Sequence, residues 1–361
     1  MRIGIDARPL TVATTGIGRY TAELIHRLAR IPNNRLYLYA HRPLCEPLAE
    51  GEAIVRTGKV VHPFLGTVFA QTVFQRWIKL DRLDLFWSPR HHLPLAAPTR
   101  TVVTVHDLVW RRVPESMTKM GRLLEAILMP ATLRKADSII SVSEATARDI
   151  RALYPDVAQK VKVILEAPFV SPPAFGHLVK RSEPTILFLG TFEPRKNLSG
   201  ILAAFKRLID EGIVSHRLVI AGHPGWRTDV EKLIRDFGLV EMVRVCHPAT
   251  DEDVICLYEE CDFLLLPSFY EGFGLPIIEA MSFGKPVITS NTSSMPEVAG
   301  QGAILVDPAS VVEITDAMKR LISDRVLHDS LSRLARLQSQ RFSWEKAAKE
   351  TFDEFEKVAK C

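Results

Sequence analysis

The sequence predicts an α/β protein made of two doubly wound domains with parallel sheets, and three observations carry that reading. Short apolar runs alternate with stretches of helical periodicity along most of the chain. The alternation pauses in a proline-rich stretch near the middle and then begins again. With 361 residues, the chain is long enough for two domains of ordinary size.

Arg2-Ile3-Gly4-Ile5-Asp6 reads as the first strand, and a helical pattern follows over residues 19–29. Further strands are expected at 36–39, 85–87, 101–105 and 138–142. Their almost wholly apolar character suits a parallel sheet covered on both faces. Ser143 is placed to cap a helix running toward Leu153. Residues 1–170 form the first domain on this reading, and 171–184, with Pro172, Pro173, Gly176 and Pro184, form the linker. The second domain, 185–343, opens with a strand at 185–190 and a helix from Asn197 to Glu211. Strands at 218–222, 243–246, 263–267 and 286–290 follow, and helical periodicity over 311–338 closes it. A last amphipathic stretch, about 344–361, is expected to return to the first domain. Ligands of such a pair belong at the carboxyl ends of the strands, in a cleft between the domains.

Composition narrows the class. The chain is 47% hydrophobic and 24% charged, so a full core is expected and disorder is not. No leader segment and no run of membrane-spanning length is recognised, which points to a cytoplasmic protein or one peripheral to the inner membrane. Five scattered cysteines without a Cys-x-x-Cys pair argue against a disulfide framework or a zinc site. Residues 1–180 hold 25 Lys and Arg against 15 Asp and Glu, whereas the remainder holds 21 against 27. Either the first half meets an anionic partner, or the charge is ordinary solvated scatter. The stretch 64–80 mixes Phe64, Phe69, Phe74 and Trp77 with Arg76 and Lys79. It reads either as a membrane-touching helix or as one that packs on the core.

Chemistry-bearing residues gather after the strands. Glu271 and Glu279 flank a turn, Gly272-Phe273-Gly274, that leads into an apolar helix from Leu275. Glycines there admit a close backbone approach, and a helix start aims N–H groups at an anion. Arg195 and Lys196 follow the first strand of the second domain and suit a diphosphate. In the first domain, Gly16-Ile17-Gly18 lies between strand and helix but lacks the third glycine of a dinucleotide fingerprint. His106-Asp107 ends a strand, and Arg90-His91-His92 ends another. For each of these the alternative is a structural turn or a satisfied core histidine.

Together these blocks, extended by Gly284-Lys285-Pro286 and Pro296-Glu297-Val298, resemble the retaining glycosyltransferases of family 4, which have the GT-B fold. The resemblance runs nearly end to end. It implies that Gly16 and Gly18 lie beside a donor diphosphate and that His106 hydrogen-bonds the transferred sugar. It places Arg195 and Lys196 on the diphosphate. Glu271, with backbone groups of Phe273, Gly274 and Leu275, would hold the donor sugar, and Glu279 the ribose hydroxyls. It implies retention at the anomeric carbon, with the leaving diphosphate assisting the acceptor's deprotonation, and no metal or cofactor beyond the nucleotide-sugar. One departure is His247, where the family commonly carries a glycine near the base; it could stack on the base or fill the loop. The blocks 190–198 and 221–226 look most like mannosyl- and rhamnosyltransferases of bacterial surface polysaccharides. GDP-mannose or a related GDP-hexose is the expected donor, with a UDP-sugar the alternative. The expected acceptor is a glycan or a polyprenyl-diphosphate-linked glycan, and no nucleic-acid partner is expected. An epimerase, a phosphorylase or an inactive partner subunit of the same fold are the other readings.

Overall fold

In a computed structural model the described residues are 1–12, 15–45, 53–60, 62–173, 183–213 and 215–360, without the side chains of Pro63 and Phe64. Most of the expected linker, Cys361 and the Phe64 side chain therefore lie outside the described residues. The chain forms two compact units. The first comprises Met1–Leu108, Lys119–Glu166 and Ser343–Cys361, and the second Val109–Thr118 and Ala167–Phe342.

The first unit is a parallel sheet built from β1 (Arg2–Asp6), β2 (Arg35–Ala40), β3 (Ala53–Thr57), β4 (Leu85–Ser88), β5 (Arg100–Val105), β6 (Ser138–Ser141) and β7 (Val161–Val163). Its order is β3-β2-β1-β4-β5-β6-β7, with Ile5 opposite Leu38 on one side and Trp87 on the other. The helices are α1 (Gly16–Ala29), α2 (Pro63–Thr72), α3 (Phe74–Asp81), α5 (Lys119–Lys135) and α6 (Glu144–Leu153), with α4 (Val109–Arg112) in the second unit. Ser143 caps α6 by accepting from the Thr146 N–H at 3.0 Å. The chain's last helix belongs to this unit through buried aromatics: Phe355 lies 5.5 Å from Trp87, and Trp344 lies 5.9 Å from Tyr20. Removing a ring such as Phe355 would cost about 3–5 kcal/mol, because the surrounding wall could collapse only in part.

The second unit has strands β8 (Thr185–Leu189), β9 (Arg217–Ala221), β10 (Val243–Cys246), β11 (Phe263–Leu266), β12 (Val287–Ser290) and β13 (Ala303–Val306), all parallel, in the order β10-β9-β8-β11-β12-β13. Between and after them run α7 (Leu198–Asp210), α8 (Val230–Asp236), α9 (Asp251–Glu260), α10 (Leu275–Ser282), α11 (Met295–Ala299), α12 (Val311–Ser323) and α13 (Arg325–Ser339). The chain's last helix is α14 (Trp344–Lys360). Strand order reverses between β8 and β11. Because parallel crossovers are right-handed, α7 and α8 cover one face of the sheet and α9 to α11 the other.

Several elements depart from the sequence expectation. Strands β3, β7 and β13 escape it, and all three are short sheet edges whose residues are mostly half-buried or exposed. The periodic stretch 311–338 is two helices, because Asp324 caps α13 by accepting from the Leu327 N–H at 2.9 Å. The stretch 64–80 is also two helices, and its ring Phe74 is fully buried against Tyr39, Trp77 and Phe86. Among the described residues of the stretch, the rings of Phe69, Phe74 and Trp77 pack on one another, while Leu65, Val68 and Leu80 stay exposed. Val109–Thr118, expected in the first domain, groups with the second unit, as do Ala167–Pro173. Its two short turns carry no long apolar run that would anchor them to a sheet.

Candidate active site

The reversal point of the second sheet is where ligands of doubly wound folds bind. The loop leaving β8 folds tightly there because Pro194 opens a single turn and Asn197 ends it at a φ of 61°. Asn tolerates that left-handed conformation better than most residues. Its side chain accepts from the Gly200 N–H at 3.2 Å, capping α7. Its amide also donates to the carbonyls of Pro267 (3.1 Å) and Pro308 (2.7 Å). Gly222, after β9, admits a close pass: a Cβ there would sit 1.9 Å from the Gly190 carbonyl oxygen.

Arg195 and Lys196 project from this turn onto Glu271. Lys196 Nζ donates to Glu271 Oε1 at 2.5 Å, and Arg195 Nη1 to Oε2 at 2.7 Å. Arg195 also reaches the Tyr270 carbonyl at 3.1 Å and Glu193 at 2.9 Å. Lys196 and Glu271 are each 6% exposed. Burial alone would raise the Glu271 carboxyl, but Lys196 and Arg195 outweigh it and hold it at about 2. Burial draws Lys196 downward, against the pull of Glu271. The backbone of Glu271 is fixed as well, because Ser294 donates to its carbonyl at 3.0 Å and to that of Phe273 at 2.8 Å. The carboxylate expected at a sugar is therefore first of all the counter-ion of the two cations. Each of its oxygens still has accepting capacity for a hydroxyl.

Gly274, at a φ of 104°, opens α10, so Leu275 begins the helix as expected. The Phe273 ring is buried, 5.8 Å from Phe342. Glu279 stands apart with other partners. It accepts from the Tyr258 hydroxyl at 2.9 Å and from the Phe169 N–H at 3.3 Å, and it too is buried.

In the first unit, His106 follows β5 and both its ring nitrogens are engaged. Nε2 lies 2.9 Å from the Pro89 carbonyl, which can only accept, so that nitrogen carries a proton. Nδ1 lies 2.9 Å from Glu166 Oε1. Burial would lower this imidazole, but Glu166 outweighs it and the group is raised above its ordinary value. The expected hydrogen bond from His106 to a sugar thus meets a ring with both nitrogens already occupied inside its own unit. His91 lies alongside it, ring centres 6.0 Å apart, and His92 pairs with Glu125 at 3.1 Å. The Gly16–Gly18 segment is the first turn of α1 rather than a loop. Thr15 accepts from the Gly18 N–H at 3.0 Å, and a Cβ on Gly18 would crowd the Thr15 hydroxyl at 2.9 Å. Gly18 is thereby fixed by packing, and Gly16 is open to solvent. Among the described residues no group of His, Cys, Asp or Glu side chains is arranged to hold a metal ion.

Two family models match the chain: one described as Glycosyltransferase Family 4 over residues 14–166, and one described as Glycosyl transferases group 1 over 174–338. The O-antigen chain mannosyltransferase B of Escherichia coli is 30% identical, with 98% of this chain and 99% of that protein covered. The chain belongs to glycosyltransferase family 4. It is also similar to the O-antigen chain mannosyltransferase RfbU of Salmonella typhimurium, at 26% identity over 88% of this chain and 90% of that protein. Among solved structures, sucrose-phosphate synthase from Thermosynechococcus elongatus matches with a TM-score of 0.80 at 18% identity, covering 99% of both chains. The two Rossmann-like units are those of the GT-B fold.

Within the family pattern, His247 is the departure, and its Nδ1 donates to the Gly222 carbonyl at 2.5 Å. Its ring also stacks on His223 with centres 6.0 Å apart, and it remains exposed at the surface. Sequence reasoning missed Glu166, Tyr258 and Ser294. Glu166 had a faint signal, a lone carboxylate after the apolar run Val163-Ile164-Leu165. Tyr258 and Ser294 had none, since their partners lie about twenty residues away on other elements.

Proposed function

We propose that this family 4 glycosyltransferase is retaining and moves mannose or a related deoxyhexose from a GDP-sugar. The acceptor is a glycan, free or linked to polyprenyl diphosphate, in the assembly of lipopolysaccharide O-antigen or exopolysaccharide. The observation that carries the reading is the buried Arg195–Lys196–Glu271 cluster at the reversal point of the second sheet. On this reading the bond between the anomeric carbon and the diphosphate oxygen breaks as the acceptor oxygen attacks on the same face. Arg195 and Lys196 take up the charge that develops on the leaving diphosphate, which receives the acceptor's proton. No metal ion is needed where two preorganised cations do this work. Glu271 turns its remaining lone pairs to the sugar, and Glu279, oriented by Tyr258, receives the ribose. His106 keeps in this scheme the role that the resemblance implies, a hydrogen bond to the transferred sugar.

The mannosyltransferase relatives favour the sugar, and the basic excess of the first half favours a phosphate-linked acceptor at the cytoplasmic face of the inner membrane. Two stretches offer membrane contact: residues 64–80, where Leu65, Val68 and Leu80 stand exposed near Arg76 and Lys79, and α5, where Met120, Leu123 and Ile127 stand exposed beside Lys119 and Arg122. Among the described residues no helix is long and apolar enough to cross a membrane. The test is acceptor-dependent nucleotide release from GDP-mannose, GDP-rhamnose and UDP-glucose, with the product's anomeric configuration read by NMR. Turnover with the GDP-sugars and retention are expected. Use of UDP-glucose alone would replace the donor, and conversion of donor without acceptor would replace transfer by epimerisation.

A further inference from the structure

We infer that the second unit carries a separate saccharide subsite that holds a hexose of the acceptor chain on the α7–α8 face of its sheet. The inference rests on the transferase reading above. A cavity of about 580 Å³ opens between the β8 loop, the first turn of α7, the start of α8 and Phe269. That volume falls within the range of about 300–1,000 Å³ usual for small-molecule sites. Glu279 sits on α10, which covers the opposite face, so this cavity is not where the ribose is assigned. The two sites share a wall, because Glu193 lines the cavity and pairs with Arg195.

The lining has the chemistry of a neutral sugar site. Phe269 leaves 42% of its surface exposed although its backbone is pinned by the Arg195 carbonyl at 2.8 Å and by Thr292 at 3.3 Å. Its ring stacks on no other ring among the described residues, so an apolar face is held open beside polar groups. Arg227, in a left-handed conformation with φ of 56°, lies over the ring of Trp226, itself 36% exposed. The side chains of Arg227 and Ser199 make no hydrogen bond with any described residue. A pyranose offers what this lining lacks: a C–H face for the aromatic ring and hydroxyls that both donate and accept. A polyanion suits it less. Glu193 and Asp229 place two carboxylates in the wall, and Lys232 is already paired with Asp236 at 3.1 Å.

Saturation-transfer NMR of the full chain with mannobiose, mannotriose and mannotetraose tests binding directly, without requiring turnover. Binding is expected to weaken at least tenfold in Phe269→Ala and in Arg227→Ser, both surface changes, with GDP affinity unaltered within twofold. In transfer assays the acceptor KM should rise about tenfold while kcat and donor KM stay put. Unchanged oligosaccharide binding and acceptor KM in both variants would overturn the subsite. So would displacement of the sugar by inorganic phosphate or GDP, which would make the cavity an anion site. Phe269-dependent sugar binding without mannosyl transfer would instead leave the subsite standing and remove the transferase reading beneath it.

Discussion

Replacing Lys196 with methionine keeps its length and removes its charge, which leaves Glu271 facing Arg195 alone. In the native protein the carboxyl is held at about 2, against an ordinary value of 4.5. At about 1.4 kcal/mol for each unit, that depression contributes about 3 kcal/mol to stability. Because the folded value is the lower one, the contribution is present above 4.5 and fades as the pH falls toward 2. Lys196 is the stronger of the two opposing cations. Its loss should therefore remove more than half of this term, about 2 kcal/mol at neutral pH. The gap between native and variant should narrow as the pH is lowered from 5 to 3, since the carboxylate it depends on is being protonated. If the same ammonium stabilises a leaving diphosphate, kcat should fall about 10²–10³-fold. Urea unfolding at several pH values and initial rates of nucleotide release measure the two effects. A stability gap that does not vary with pH would refute the electrostatic account of Glu271. A kcat within threefold of native would refute the catalytic role of Lys196.

Glu166→Gln should lower the His106 imidazole, since the hydrogen bond and charge that lift it most are removed while burial still opposes the smaller pull of Pro89 and Asp107, and an NMR titration of the ring reads this directly. The native pair has a raised folded value, so its stabilisation is full below 6.5 and is lost as pH rises through that value. The variant's deficit should therefore shrink at alkaline pH. Gly222→Ala forces a Cβ against the Gly190 carbonyl and should cost about 3 kcal/mol, seen as a lowered Tm; an unaltered Tm would mean the two loops part freely. Glu279→Gln should weaken GDP binding by about 1.5–3 kcal/mol in calorimetry and leave kcat within a few-fold, as expected of a ribose acceptor. Equal loss in both would move Glu279 into the reaction itself.

The central strands were legible because a strand buried on both faces must be apolar throughout. The edges β3, β7 and β13 were not, since a sheet margin tolerates Arg56, Lys162 and half-exposed residues and no longer looks like a run. A similar limit governs the site. Arg195, Lys196 and Glu271 stand out as charges in turns, and pairing between loops after neighbouring strands brings them together. Glu166 could not be paired with His106 from spacing, because sixty residues and two strands separate them. The break at Asp324 was missed for another reason: the helical period continues across it, and only the cap's hydrogen bond betrays the new start.

Asn197 has a consequence for how nucleotide binding would register in a calorimeter. With its oxygen on α7 and its amide on the carbonyls of Pro267 and Pro308, the turn bearing the two cations is tethered to three separate elements. Little of that turn is left to order when a ligand arrives. Nucleotide binding to the second unit should therefore carry only a small conformational entropy penalty, and loosening this tether should show first as a less favourable entropy at nearly constant enthalpy.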